Sequence, residues 1–205
     1  MNLLAMRTEV RSRIAETATT FYSDAEINGW LNAGQLDLAQ RLPSETLHTL
    51  REISVSDTIA GVQTYSLPAD FLRWRGVSYE GTPCRMIGFE ELRAINGGNV
   101  FWTPTVADPA AFVWKTLDIY PKPTEDNKKV SLYYVKRPTQ MTGDTAECSL
   151  PNELHEAVIF YACAIAHSKD QNYDAAAHFR QAYQDVIANY TTPPAKQSPT
   201  TTGGA

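Results

Sequence analysis

The sequence predicts an α+β protein: a helical bundle formed by N- and C-terminal helix pairs, with an inserted antiparallel β-rich domain and an extended C-terminal arm. Three observations predict it. Apolar residues recur three and four apart through both ends of the chain, the signature of helices with one buried stripe. Between about Thr46 and Ser149 the period changes to two, as in strands. From Thr191 onward periodicity stops, and Thr, Pro, Ser and Gly dominate. The expected division is therefore 1–45 with 150–190 for the bundle, 46–149 for the β-rich insertion and 191–205 for the arm.

Taken in order, Leu3 to about Thr19 is expected to be a first helix on a thin stripe of Leu3, Val10, Ile14 and Ala18, with Arg7, Glu9, Arg11, Arg13 and Glu16 mostly outside it. The second helix opens on Ser23-Asp24-Ala25-Glu26, a capping box in which hydroxyl and carboxylate each satisfy a backbone N–H. Tyr22 and Ile27 are placed for a hydrophobic staple. Ile27, Trp30, Leu31, Gly34 and Leu38 form its stripe, Pro43 ends it, and Gly34 suits a close helix crossing. The alternation of Leu47 to Ser56 reads as a strand. TYSLP, the stretch around Trp74, Val77 and Tyr79, then CRMI, AAFVW, TLDIYP and VSLYYVKRP read as further strands. Phe89 to Arg93 reads as one or two helical turns, closed by the loop Asn96 to Asn99.

At the C-terminal end, Pro151 suits a first helical turn. Leu154, Val158, Tyr161 and Ile165 follow at helical spacing, widened by Ala157, Phe160 and Ala164. So much small and apolar surface implies burial on more than one side. The polar run after His167 is a short turn, with Asp170 or Asn172 as the next N-cap. Ala176, Phe179, Tyr183, Val186, Ile187 and Tyr190 then line a second helix, antiparallel to the first because the connection is short. Helices this short cannot bury their stripes alone, so the two end pairs are expected to pack together.

The net charge of −5 opposes tight nonspecific nucleic-acid binding, which needs clustered Lys and Arg. Three scattered cysteines fit a reducing compartment better than a disulfide framework. The N-terminal residues are charged too early for a secretory signal, and no apolar run approaches the roughly 18 residues that span a bilayer. A soluble protein made in the cytoplasm is expected.

The motifs that carry chemistry are weak. His155-Glu156 begins like a zinc-protease helix, but Ile159 stands where the second His is needed, so a polar first turn is preferred. No nucleophile elbow, phosphate loop or dinucleotide fingerprint is present. Asn96-Gly97-Gly98-Asn99 reads as a surface turn, and Asp57, Asp70, Glu90 and Glu91 show no acid–base pairing. His48, His155, His167 and His178 are scattered, though His167 and His178 can meet across the hairpin turn. No catalytic residue, cofactor or metal is expected. Arg73, Trp74, Arg75, Tyr79 and Arg85 could make a basic aromatic face, but simple alternation, with Trp74 in the core and both arginines in solvent, is preferred. Phe101-Trp102, in a loop before Pro104, is a candidate subunit or tail contact.

The order of segments carries more. YSDAEINGWLNAGQLDLAQRL, YSLPADFLRWRGV, DIYPKP, VSLYYVKRP and LPNELHEAVIFYACAIA, with a Leu-Pro-x-x-Phe turn at Leu67 to Phe71 and a Pro-x-Glu-x-His-Glu helix start at Pro151 to Glu156, resemble the head-to-tail adaptors of tailed bacteriophages. The resemblance spans Ser23 to Tyr190 and is nearest to the tail tubular protein A group of short-tailed phages. It implies a structural virion protein at the head–tail junction, without enzymatic activity. It implies a homo-oligomeric ring of twelve copies joining portal protein to tail tube, nozzle or fibre proteins while genomic DNA passes through unbound. It also implies an arm docking on the portal, here Thr191, Thr192, Pro193, Pro194 and Lys196. A segment of that composition orders only on a neighbour. The competing expectations are a neck or head-completion protein of a long-tailed phage, a nucleic-acid-binding module and a small hydrolase.

Overall fold

The structure is a computed structural model and describes residues 1–16, 21–88, 90–91 and 109–191. Helix α1 (Leu3–Arg13) starts on Asn2, whose side chain accepts from the Ala5 N–H at 2.9 Å. It stops short of the expected Thr19: Ala15 takes φ 57°, a left-handed conformation that ends a helix. Leu3, Met6 and Val10 are buried, and so are Arg7 and Arg11. That corrects the expectation of outward charges. The apolar stripe is thin because two arginine stems complete it.

Helix α2 (Asp24–Arg41) carries the capping box in full: Ser23 Oγ accepts from the Glu26 N–H, and the Glu26 carboxylate accepts from the Ser23 N–H at 3.0 Å. It ends where Leu42, preceding Pro43, turns extended at ψ 149°. Helix α3 (His155–Lys169) begins later than the sequence implied. Pro151 leads into one 3₁₀ turn, Asn152–Leu154, in which the Leu154 N–H donates to the Pro151 carbonyl at 2.9 Å. Ala157, Val158, Ile159, Ala162, Cys163, Ala164 and Ala166 are buried, and α3 packs on α1, on α2 and on helix α4 (Tyr173–Thr191). Gly34 meets α3 closely: a Cβ there would lie 3.0 Å from Tyr161 Cδ1 and 3.2 Å from Tyr161 Cβ. Asp170 caps the end of α3, Gln171 takes φ 58°, and the Asn172 side chain accepts from the Ala175 N–H at 3.3 Å to start α4. The N- and C-terminal helix pairs thus share one bundle.

The chain divides into two compact units, Met1–Thr46 with Gln140–Ala205 and Leu47–Thr139. The stretch 140–149, read from sequence with the β-rich segment, falls in the helical unit. Asn32 explains this, donating its amide to the Met141 carbonyl at 3.1 Å and accepting the Met141 N–H at 2.8 Å, while Leu3 N–H donates to Ala146 O at 2.8 Å.

The second unit is a pair of sheets. Strands β1 (Arg51–Asp57), β3 (Phe71–Tyr79), β4 (Thr82–Pro83) and β8 (Lys129–Lys136) form one, in the order β1-β8-β3-β4. Strands β2 (Thr64–Ser66), β5 (Arg85–Met86), β6 (Ala110–Val113) and β7 (Thr116–Tyr120) form the other, in the order β2-β7-β6-β5. All pairings are antiparallel except the short β5–β6 pair. His48–Leu50, expected as the start of β1, is a 3₁₀ turn. The Leu-Pro-x-x-Phe stretch is a turn closed by the Phe71 N–H on the Pro68 carbonyl at 3.0 Å. Glu80 and Gly81, both at positive φ, make the two-residue link from β3 to β4, the geometry that matches strand twist. Val77, Val130, Leu132 and Tyr134 from one sheet share a core with Ala111, Leu117 and Ile119 from the other. The register shifts between Trp74 and Gly76, leaving Arg75 as an extra residue. With a second shift between Phe71 and Arg73, that bulge breaks the alternation the expectation assumed, and Trp74 is 42% exposed rather than in the core.

Candidate interaction surfaces

Within the helical unit most charged groups that look reactive in sequence serve packing. Arg11 donates to the Tyr22 carbonyl at 2.9 Å and to Asp24 at 2.8 Å, while Arg7 donates to Asp144 at 2.9 Å. Two buried guanidiniums thereby tie α1 to the start of α2 and to the returning chain. Fixed in a fork, each guanidinium reaches two partners at once. Lys169 reaches across to Glu26 at 2.5 Å, and with the Ser23 donors it holds that carboxyl down at about 2.

His155 is a buried strut. One ring nitrogen, Nε2, lies 2.9 Å from the Leu150 carbonyl and so carries the proton; the other, Nδ1, accepts from the Met1 amino nitrogen at 2.8 Å. Burial pushes its pKa below the ordinary value. Glu156 does not join it and pairs with Arg13 at 3.2 Å. His167 and His178 both lie on Phe179, one stacked at 5.4 Å and one edge-on at 5.6 Å. Among the described residues no group of three His, Cys, Asp or Glu could hold a metal ion. Cys84, Cys148 and Cys163 are buried and unpaired, and burial raises the Cys84 thiol to about 11 and the Cys163 thiol to about 12.

The described residues line several small cavities. In the β unit one of about 220 Å³ is walled by Tyr79, Tyr120, Pro121 and Pro123. In the helical unit another of about 280 Å³ lies beside Asp37, Arg41, Tyr161 and Arg180. There Tyr183 donates to Asp37, which also accepts from Arg41 at 2.7 Å, so these three polar groups are engaged with one another.

The exposed apolar groups are a different matter. On the outer face of the first sheet Ile53 is 55% exposed, Val55 57% and Tyr133 37%, with Ile53 directly opposite Tyr133. Trp114 is 71% exposed at the tip of the β6–β7 hairpin, and Tyr173 is exposed at the start of α4. Large apolar side chains in such positions mark contact surfaces. None is singled out by the sequence, because exposure depends on which strand is the edge and which side of a sheet is covered. Of the residues the sequence does single out, Thr191 is the last residue of α4, its hydroxyl donating to the Ile187 carbonyl at 2.9 Å. Thr192, Pro193, Pro194, Lys196, Phe101 and Trp102 lie outside the described residues. Arg85 pairs with Glu91 at 2.6 Å, and Tyr79 packs against the sheet core, so the supposed basic aromatic face is not assembled as one surface.

Among the described residues, buried arginines and His155 are thus engaged in packing, and apolar side chains are exposed on a sheet face and at a hairpin tip. The chain belongs to the SU10 adaptor protein family, whose family model matches residues 1–203, and is thus a phage adaptor protein. No curated protein matches it. No described helix is long and apolar enough to cross a membrane.

Proposed function

We propose that this protein is a head-to-tail adaptor of the virion, a non-enzymatic subunit that assembles with copies of itself into a ring between portal and tail. The observation that carries the reading is the adaptor-family match over nearly the whole chain. Other features support it. The segment order resembles that of the tail tubular protein A group, in which twelve copies surround a channel. A net charge of −5 suits a subunit past which DNA must slide without adhering. Thr191 belongs to α4, and the residues we assign to gripping the portal are those after it, Thr192, Pro193, Pro194 and Lys196 among them.

The test is direct. Purified protein is mixed with the portal of the same phage, and the product is imaged and weighed. A ring on the portal is expected from the full chain, whereas a chain ended after Thr191 is expected to melt at the same temperature yet fail to dock. Normal docking by the shortened protein would remove the arm from the reading. Docking to a tail-terminator or neck protein in place of a portal would move the protein to another station of the virion. Replacing His155 and Glu156 together by Ala should change stability alone.

A further inference from the structure

We propose that strand β1 is a homotypic docking edge, on which a second copy of this chain adds its own β1 antiparallel, in a register centred on Ser54. The inference does not rest on the adaptor reading.

β1 is the outermost strand of its sheet, and among the described residues no strand lies beside its outer edge. Such an edge templates pairing unless charge, proline or a bulge blunts it. Here Ile53-Ser54-Val55-Ser56 carries no charge and no proline, and β1 pairs with β8 through seven residues without a register shift. The nearest blunting groups are Arg51, Glu52 and Asp57, toward the ends of the strand.

The order of side chains along the strand specifies an occupant. The apolar pairs set the register, and Arg51 of the second copy adds to the Asp57–Lys129 pair already present. Arg51, Ile53, Val55 and Asp57 alternate onto one face, and all four are exposed. In an antiparallel pair, directly opposed residues share a face, so two identical strands in one continuous sheet can pair only about a residue. Centring on Ser54 places Arg51 opposite Asp57 of the second copy, at both ends, and Ile53 opposite Val55, twice. Opposed apolar pairs and opposed opposite charges are the favourable cross-strand combinations. Centring on Val55 would instead set Ile53 against Asp57, and centring on Ile53 would set Arg51 against Val55. The strand is complementary to itself in one register. Tyr133, beside Ile53 on the neighbouring strand, extends the apolar surface that the second copy would border.

A single added strand is a small interface, so the association belongs to the weak class and must be followed over a concentration series. A two-fold contact closes on two copies. It is therefore an arrangement of the free protein, separate from any ring.

Sedimentation of the full chain should show the mass rising from 22.8 kDa toward twice that value with concentration. Val55→Lys, at a side chain already exposed, should remain folded by circular dichroism and stay at the monomer mass. Ser54→Cys should cross-link to itself under mild oxidation, whereas Ser56→Cys, which would face Glu52, should not; the native thiols are buried and contribute little. A wild-type chain that stays monomeric throughout, a dimer that survives Val55→Lys, or faster cross-linking of the Ser56→Cys variant than of the Ser54→Cys variant would each overturn the proposal. Because the two-fold contact is separate from the ring, a ring that forms on a portal with these variants supports the adaptor reading on its own, whichever way the mass and cross-linking tests fall.

Discussion

Gly34 and His155 show how single atoms set the tolerance of the helical unit. An Ala at Gly34 improves helix propensity by about 1 kcal/mol, but its Cβ would press on Tyr161 Cβ, which is fixed to the α3 backbone and cannot swing away. Overpacking of this kind costs about 1–3 kcal/mol, so Gly34→Ala should be destabilised by about 1 kcal/mol net in urea unfolding. His155 makes a pH prediction. Because burial lowers its pKa below 6.5, the unfolded chain takes up the proton first as pH falls. The stabilising contribution of the neutral ring is thus complete above 6.5 and is lost as pH drops toward and through the folded value. Between about pH 7.5 and about pH 5.5, where carboxylates change little, Tm should fall more for the wild type than for His155→Gln. Equal slopes would mean that the imidazole is not held neutral.

At the level of elements, α4 is the outlier. Only Ala176 and Tyr183 of its residues are fully buried, against eight residues of α3. Segments with few buried contacts open first, so native-state hydrogen exchange should be faster in α4 than in α3. Equal protection would show that the hairpin opens as one piece. The same elements explain what is legible in the sequence. Capping chemistry at Ser23 and Asn172, and stripes such as Ile27, Leu31 and Leu38, are local codes, and they place α2, α3 and α4 to within a turn. Most of the β strands are visible for the same reason, though the two-residue β4 is not. Arg7 and Arg11 defeat a local reading because their burial depends on Asp24 and on the distant Asp144. Trp74 defeats it because a bulge shifts the phase that alternation assumes. The apolar outer face of β1 is not legible at all, since nothing local tells a strand that it will be an edge. The sites expected at Phe101, Trp102 and Thr192 onward rest on loop position, composition and resemblance, and the fold of the described residues does not bear on them.

The molecule as a whole joins a helical unit made from both ends of the chain to a β unit that is contiguous in sequence. Its net charge of −5 opposes tight nonspecific binding to phosphate backbones. The split helical unit has a consequence for the order in which a nascent chain matures. Domains usually settle as the ribosome delivers them, first end first. Here Ile27, Leu31 and Leu38 leave the exit tunnel long before α3 exists to cover them, and the β unit, complete at Thr139, can fold ahead of the residues that precede it. Helices α1 and α2 therefore cannot complete their packing until translation has passed Lys169, the last residue of the helix they pack against.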